Sequence, residues 1–191
     1  MKFAIVSGSL DADSKSRRLA ELTREIVAGA GHDTDFIDLR AADLPPFDNA
    51  RAFDHPSYAQ LHARLAASDG IFLASPVYNW GLSAAVKSLI ELTGSTVESD
   101  RRGAWFDKIV TFLCAGGLPH SYMAASSLAT ALMLDFKCVI NPYQVYATER
   151  DWTADAAPSA TLRARLEKAV AVKLELAAAL QHRTYRSDWE I

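Results

Sequence analysis

The chain has 191 residues, 50% of them hydrophobic, and its 20 basic and 23 acidic side chains give a formal net charge of −3. This length suffices for one domain with a sizeable core, and we expect one domain over residues 1–181 and a C-terminal tail over residues 182–191. The absence of a run of about 20 apolar residues argues against a membrane protein, and the absence of a basic excess argues against a nucleic-acid-binding protein.

Short apolar runs alternate with longer segments of helical periodicity. The short runs predict five buried strands, at Phe3–Ser7, Asp35–Leu39, Gly70–Ala74, Ile109–Cys114 and Cys138–Ile140. A helix is predicted after each strand, over the stripe from Leu19 to Ala30, Tyr58–Ala67, the stripe from Leu82 to Ile90, Tyr122–Met133 and Ala160–Gln181. This alternation predicts an α/β fold, a doubly wound parallel sheet of the flavodoxin-like type with strand order 2-1-3-4-5.

The two cysteines, Cys114 and Cys138, fall within apolar runs. They form no CxxC pair and no disulfide framework, so we expect two thiols in the core of a cytoplasmic protein. The N-terminal apolar run has no cleavable small-residue site, and we interpret it as a strand rather than a signal peptide. No metal site is expected.

Ligands of doubly wound sheets bind beyond the carboxyl ends of the strands, which directs attention to the loops after strands one, three and four. The first loop, Ser7–Arg18, is rich in serine and ends in a Lys-Ser-Arg-Arg run at a helix start. Hydroxyls and free N–H groups at a helix N-terminus suit a phosphate. Ordinary capping by Ser14 or Asp13 is the alternative, and the two roles can coexist. The spacing matches neither GxGxxG, nor a P-loop, nor GxSxG.

The second and third loops carry groups that suit a flat ligand. The second loop, Ser75–Gly81, places two large aromatic side chains, Tyr78 and Trp80, at the expected ligand position, although they could instead pack under the next helix. The third loop, Ala115–His120, has two adjacent glycines that permit close approach of a flat group, or simply a tight turn. A ligand with a phosphate at one end and a flat ring at the other would satisfy all three loops.

These loops resemble those of the NADPH-dependent FMN reductase family, and the resemblance covers roughly Lys2 to Ala147. The first loop is similar to the family's GSxRxxSxxR pattern. The second contains a P-x-Y-(N/K) motif at Pro76–Asn79, followed by a helix that carries Lys87, and the third matches a glycine pair after strand four. The segment from Ala115 onward also resembles the sulfonate- and chelate-linked branch, whose members hand reduced FMN to a partner monooxygenase.

The resemblance implies FMN as cofactor, NADPH or NADH as hydride donor, and hydride transfer to flavin N5 without a protein nucleophile. The residues that would hold the FMN phosphate are Ser9, Ser14, Ser16 and Arg17. Those that would line the ribityl chain and the ring edge are Pro76, Val77, Tyr78, Asn79 and Trp80. Those that would close over the pyrimidine side are Gly116, Gly117 and Leu118.

One departure from the family pattern concerns charge. Asp11 stands where the family has an arginine, and Asp13 follows it. Both carboxylates would repel a phosphate dianion, although Lys15, Arg17 and Arg18 would offset them if the aspartates turned to solvent or capped the helix. We therefore expect FMN to bind weakly, which suits an enzyme that releases reduced FMN.

Four further residues have open interpretations. His120, beside the glycine pair, is either a catalytic candidate or a capping or surface residue. Arg101 and Arg102 could meet the additional phosphate of NADPH, or form a solvated charge pair. For Lys87, four residues before Glu91, we favour a surface ion pair.

Three functions compete. The first is an enzyme that reduces FMN, or a small-molecule acceptor such as a quinone, azo compound or metal oxyanion through bound FMN. The second is an electron carrier, which the near-neutral charge and the lack of a TxTGxT-like loop disfavour. The third is a non-enzymatic flavodoxin-like binding module. The family usually forms dimers or tetramers, so we expect a homodimer or homotetramer; the tail, with Tyr185 and Trp189, is either disordered or packed on a neighbouring subunit.

Overall fold

A computed structural model describes residues 1–95 and 102–188. Its strands are β1 Lys2–Ser7, β2 Asp33–Asp38, β3 Gly70–Tyr78, β4 Gly81–Leu82, β5 Ile109–Ala115, β6 Val139–Ile140 and β7 Val145–Ala147. Its helices are α1 Lys15–Gly29, α2 Pro56–Ala66, α3 Ala84–Gly94, α4 Ser126–Phe136 and α5 Ala160–Gln181. None of the helices in the two described ranges is long and apolar enough to cross a bilayer.

The predicted α/β class with a parallel sheet is confirmed, and two further strands, β4 and β7, change the numbering of the predicted order 2-1-3-4-5. The sheet has seven strands in the order β2-β1-β3-β5-β6, with β4 paired antiparallel to β3 and β7 paired parallel to β5. The last predicted strand, Cys138–Ile140, corresponds to β6, and β7 is a further strand that was not predicted; the two pair with the two ends of β5. Pro142 separates β6 from β7, because proline lacks an N–H for the ladder. The Asn141 N–H still donates to the Val110 carbonyl at 2.9 Å, and its side-chain amide donates to Thr111 Oγ1 and the Ala169 carbonyl.

Two element boundaries next to the predicted loops differ from the prediction: the start of α4, after the third loop, and the end of β3, at the second loop. The helix predicted from Tyr122 begins at Ser126, because a short 3-10 turn at Pro119–Ser121 and a further turn precede it. Strand β3 continues to Tyr78 instead of ending at Ala74, since Ser75 and Pro76 still pair with β5 and the last two residues pair with β4. The second loop is therefore partly strand, and its backbone is held by the sheet.

The core consists of two apolar layers, one on each face of the sheet. Side chains alternate along β1, so that Ala4 and Val6 join the layer covered by α2, α3 and α4. Phe3 and Ile5 join the layer covered by α1 and α5. This alternation explains why the central strands are apolar throughout, as a sheet buried on both faces requires.

Both cysteines are free thiols in the core, as predicted. Burial raises the pKa of Cys114 and of Cys138 to about 12, so both remain protonated at neutral pH.

The described part of the tail attaches to its own chain at the amino end of β5. The backbone N–H of Ser187 donates to Asp107 Oδ2 at 3.0 Å, and its carbonyl accepts from Arg102 Nε at 2.9 Å. Burial alone would raise the pKa of Asp107, but the bonds from Ser187 and Arg102 outweigh it and lower the pKa. Tyr185 is exposed, and Trp189 lies outside the described residues.

Lys173 of α5 is a charged residue type at a fully buried position. Its side-chain nitrogen donates to the carbonyls of Ile71 at 2.5 Å and Ile109 at 3.1 Å, and lies 4.0 Å from the centre of the Phe72 ring. These contacts attach α5 to β3 and β5. Burial lowers the pKa of Lys173 well below its ordinary value.

We predict that Lys173→Met makes stability less dependent on pH. Where Lys173 is neutral in the fold but protonated in the unfolded chain, the unfolded chain binds more protons, so the free energy of unfolding rises with pH by about 1.4 kcal/mol per unit. Urea unfolding should show this rise in the wild type from the folded-state pKa of Lys173 up to about pH 8, and a flatter profile in the variant. The upper limit is chosen because burial lowers the pKa of Lys108 to about 8, which adds its own rise above that pH. Parallel profiles would contradict the prediction.

Candidate active site

A cavity of about 300 Å³ lies at the carboxyl ends of β1, β3 and β5, where the three predicted loops meet. Its lining residues are Asp11, Asp13, Ser14, Lys15 and Ser16 of the first loop, Pro76, Val77 and Tyr78 of the second, Ala115, Gly116 and Gly117 of the third, and Glu149. Larger grooves lie beside α1 (about 370 Å³) and beside the start of α5 (about 670 Å³), but neither joins the three loops. We therefore place the candidate site at the smaller cavity.

The first loop presents uncapped backbone donors to this cavity. Ser14 occupies the N-cap position of α1, but its hydroxyl makes no cap and bonds the Ser16 hydroxyl at 2.8 Å. Ser9 is buried behind the loop and accepts the Asp11 N–H at 3.1 Å. The first-turn N–H groups therefore lack side-chain acceptors, and together with the hydroxyls of Ser14 and Ser16 they suit an anion.

Acidic side chains and one lysine surround the same place. Asp11 and Asp13 are exposed, and Asp11 Oδ1 accepts the Asp13 N–H at 3.0 Å. Lys15 forms an ion pair with Glu149, which enters the cavity from the turn after β7. Three carboxylates and one ammonium group therefore line this end of the cavity.

The two arginines of the first loop bind elsewhere. Arg17 bonds Asp38 at 2.5 Å and Glu21 at 3.1 Å, and the Asp38 bond raises the pKa of the guanidinium. Arg18 donates to the Ala156 carbonyl at 2.9 Å. Neither arginine lines the cavity of the three loops.

The second loop is a tight hairpin with unusual backbone conformations. Tyr78 pairs with Gly81, and the two residues between them, Asn79 and Trp80, have φ of 50° and 64°. This matches a type I′ turn, which suits asparagine but strains a bulky tryptophan. Trp80 is nevertheless 59% exposed, and its ring lies 5.4 Å from that of His120. The strain is therefore not offset by burial of the ring, which leaves the ring available to a ligand.

Ser83, which sequence reasoning missed, connects the first and second loops. Its hydroxyl donates to the Gly8 carbonyl at 2.7 Å and accepts the Val86 N–H at 3.3 Å as the cap of α3. Its own N–H donates to the Ser75 hydroxyl at 3.0 Å. A serine directly before the Ala-Ala-Val start of α3 was a detectable capping signal.

The third loop is fixed by Tyr146 of β7, a second residue that sequence reasoning missed. The Tyr146 hydroxyl donates to the Leu118 carbonyl at 2.6 Å, and the Gly116 N–H donates to the Ala147 carbonyl at 2.9 Å. Burial raises the pKa of Tyr146, consistent with a phenol that remains a donor. At Gly117 an added Cβ would meet nothing within 4 Å, so the loop leaves open space there.

Lys87 pairs with Glu91 at 2.7 Å, as predicted. Arg102, which had two open interpretations, lies at the amino end of β5, bonded to Asp107 and the Ser187 carbonyl, and does not line the cavity of the three loops. Its position therefore does not favour the interpretation as a ligand of a cofactor phosphate. Arg101 lies outside the described residues.

A family model described as NADPH-dependent FMN reductase matches residues 1–153, which confirms the resemblance seen in the three loops. Two curated relatives carry the name FMN reductase (NADPH). The one from Escherichia coli K12 is 31% identical over 93 residues, 48% of this chain and 48% of its own length. The one from Pseudomonas putida KT2440 is 30% identical over 88 residues, 46% of this chain and 44% of its own length. The chain thus spans about half the length of the curated relatives it matches.

A solved structure with the same fold is the flavoenzyme NAD(P)H:acceptor oxidoreductase FerB of Paracoccus denitrificans. Its TM-score is 0.71 at 20% sequence identity, over 91% of this chain and 97% of that chain. At this identity the similarity extends to the fold alone.

We predict that methyl groups added at two loop glycines have different effects on stability. A Cβ at Gly8 would lie 2.3 Å from Val86 Cγ2 and 2.7 Å from the Ala74 carbonyl oxygen, so Gly8→Ala should cost about 1–3 kcal/mol. Gly117→Ala, facing open space, should change the free energy of unfolding by less than about 0.5 kcal/mol. Urea unfolding measures both, and equal losses would show that the close approach of the first loop to β3 is incorrect.

Proposed function

The chain belongs to the NADPH-dependent FMN reductase family, and on that premise we propose that it is an NAD(P)H:FMN oxidoreductase. One observation supports this activity above all. The uncapped start of α1, the aromatic hairpin and the glycine loop border one cavity, in the order that a phosphate, a ribityl chain and a flat ring would need. The open space at Gly117 leaves room for the ring at the far end.

The proposed arrangement places the FMN phosphate at α1. The hydroxyls of Ser14 and Ser16 and the first-turn N–H groups would bind it, with Ser9 supporting the loop from behind. Arg17 is paired with Asp38, so it would attract the phosphate only by long-range electrostatics and not by a hydrogen bond. Pro76, Val77 and Tyr78 would follow the ribityl chain, and the residues over the ring would be Asn79, Trp80, Gly116, Gly117 and Leu118.

The residues of the chain would orient the reactants rather than react. Bound FMN would supply the redox chemistry by accepting a hydride from NADPH or NADH. The hairpin is fixed before the ligand arrives, because Ser75 and Ser83 bond across it, so its N–H groups need no rearrangement. His120 contacts Trp80, which makes it a positioning residue of the ring-binding surface in this proposal.

The finer parts of the proposal concern acceptor, location and assembly. Reduced FMN would be released to a flavin-dependent monooxygenase, with a quinone, azo compound or metal oxyanion as the alternative small-molecule acceptor. The exposed carboxylates at the phosphate end support exchange of FMN over retention. A cytoplasmic location is part of the same proposal.

An uncharged surface beside the site supports a homo-oligomer. From Leu118 to Leu134 the sequence contains no aspartate, glutamate, lysine or arginine. The large apolar side chains that this segment exposes are Leu118, Tyr122, Met123, Met133 and Leu134. Since exposed apolar side chains without charged neighbours in sequence favour an interface, we assign this segment to contact with a second copy of the chain, in a dimer or tetramer.

The activity is tested by NADPH oxidation with FMN, FAD and quinones side by side, and the phosphate assignment by Ser14→Ala, because the Ser14 hydroxyl makes no cap of α1 and is less buried than that of Ser16. Loss of one hydrogen bond to a charged phosphate should raise the Kd for FMN about tenfold and leave the Kd for riboflavin unchanged. Fluorescence titration with both flavins measures this, riboflavin being the control that lacks the phosphate. Equal loss for both flavins would place the phosphate elsewhere, and flavin binding without NADPH oxidation would favour an electron carrier or a binding module.

The interface is tested by Leu134→Glu, a charge placed on a side chain that is 66% exposed. We expect the variant to sediment as a monomer, because an unpaired carboxylate is costly to bury between subunits. Tyr143→Glu, at an exposed aromatic residue outside this surface, is the matched control and should keep the wild-type oligomer. An oligomer that survives Leu134→Glu would refute the assignment.

A further inference from the structure

We propose that Glu149 sets how tightly the flavin is held, by competing with the flavin phosphate for Lys15. This inference rests on the proposed function, because it takes the cavity to be the flavin site. It adds a determinant of affinity that lies outside the three loops, in the turn after β7.

The first argument is the position of Glu149. It lies 134 residues after Lys15, in the turn after β7, and its carboxylate bonds the lysine ammonium group at the cavity. The turn itself is fixed: the Thr148 N–H and hydroxyl bond Asp151 at 2.7 Å and 3.0 Å, and Arg165 bonds the same carboxylate. The carboxylate of Glu149 is thus presented from a rigid turn.

The second argument is the small number of cations. Among the described residues that line this cavity, Lys15 is the only cation, while the carboxylates are those of Asp11, Asp13 and Glu149. Arg17 and Arg18, the other basic residues of the loop, bond Asp38, Glu21 and the Ala156 carbonyl. A phosphate at the start of α1 therefore depends on the one cation that Glu149 already occupies.

The third argument is the exchangeability of the pair. Glu149 has a side chain that is 69% exposed, and such exposed ion pairs are weak, so Lys15 can change partner at little cost. A phosphate monoester carries a charge of about −1.5 to −2 at neutral pH and would bond Lys15 strongly, while the displaced Glu149 carboxylate would repel it. The result is a site that binds the phosphate through N–H and hydroxyl groups and gains little from charge.

The experiment uses Glu149→Gln in the full-length chain, with FMN and riboflavin as probes. Removing one negative charge near the phosphate should lower the Kd for FMN about fivefold to tenfold and leave the Kd for riboflavin unchanged. The gain should shrink at about 1 M salt, because screening acts over a few ångströms there. In a Lys15→Met background the gain should be smaller, since no ammonium group is left to be released.

Glu167→Gln is the matched control, because Glu167 forms an exposed ion pair with Arg163 at 3.2 Å on α5 and does not line the cavity. It should change neither Kd. The inference is overturned if Glu149→Gln weakens FMN binding, which would mean that Glu149 positions Lys15 for the phosphate, or if it shifts both flavins equally. A wild-type chain that binds neither flavin would overturn the proposed function as well, so the two failures are distinguishable.

Discussion

Parallel pairing of β1, β3 and β5 is the constraint on which the site depends. Ser7 pairs with Ala74, and Ala74 pairs with Leu113, so the three strands reach the same edge in adjacent positions. The chain then turns immediately, with Gly8 bonded to the Ala74 carbonyl at 2.8 Å. A side chain at this position would collide with Val86 and with the backbone of β3, so only glycine lets the first loop pass so close. The three loops meet because the register of β1, β3 and β5 brings the ends of these strands to the same edge of the sheet.

The basic residues of the first loop contribute to the fold, which removes them from the cavity. Arg17 connects α1 to Asp38 at the end of β2, and Arg18 connects α1 to the segment before α5. Exposed lysines would contribute little to either connection, whereas the planar guanidinium donates in several directions. Arginines next to a serine-rich helix start suggest phosphate ligands. Here both arginines instead form hydrogen bonds that attach α1 to neighbouring elements. The polarity of the cavity thus follows from the architecture around α1.

Local patterns were sufficient for most of the fold and for the three loops that border the candidate site. Apolar runs located the strands, and the glycine, serine and aromatic residues of the three loops were recognisable from composition. The contributions of Glu149, Tyr146 and Arg102 were not, because each depends on a partner far along the chain: Lys15, the Leu118 carbonyl and Ser187. Strand periodicity also could not reveal β4, since a two-residue strand carries no pattern of its own. The periodicity of apolar residues indicates which side chains are buried. The partners of charged and polar side chains depend on which distant segments the fold brings together.

The hairpin of the second loop shows how the fold maintains strain where a ligand would bind. Trp80 keeps a positive φ at a cost of order 1–3 kcal/mol, and its exposed ring recovers little of that by burial. The compensation comes from the base of the hairpin, where β3 remains paired with β5 through Pro76 and Ala115 and the Ser83 N–H bonds Ser75. A turn fixed at its base presents its tip in one conformation without a ligand. The indole beside His120 therefore forms a prepared surface, and it lies next to the uncharged surface that begins at Leu118. A second copy on that surface would complete the enclosure of a flat ring that one subunit leaves open.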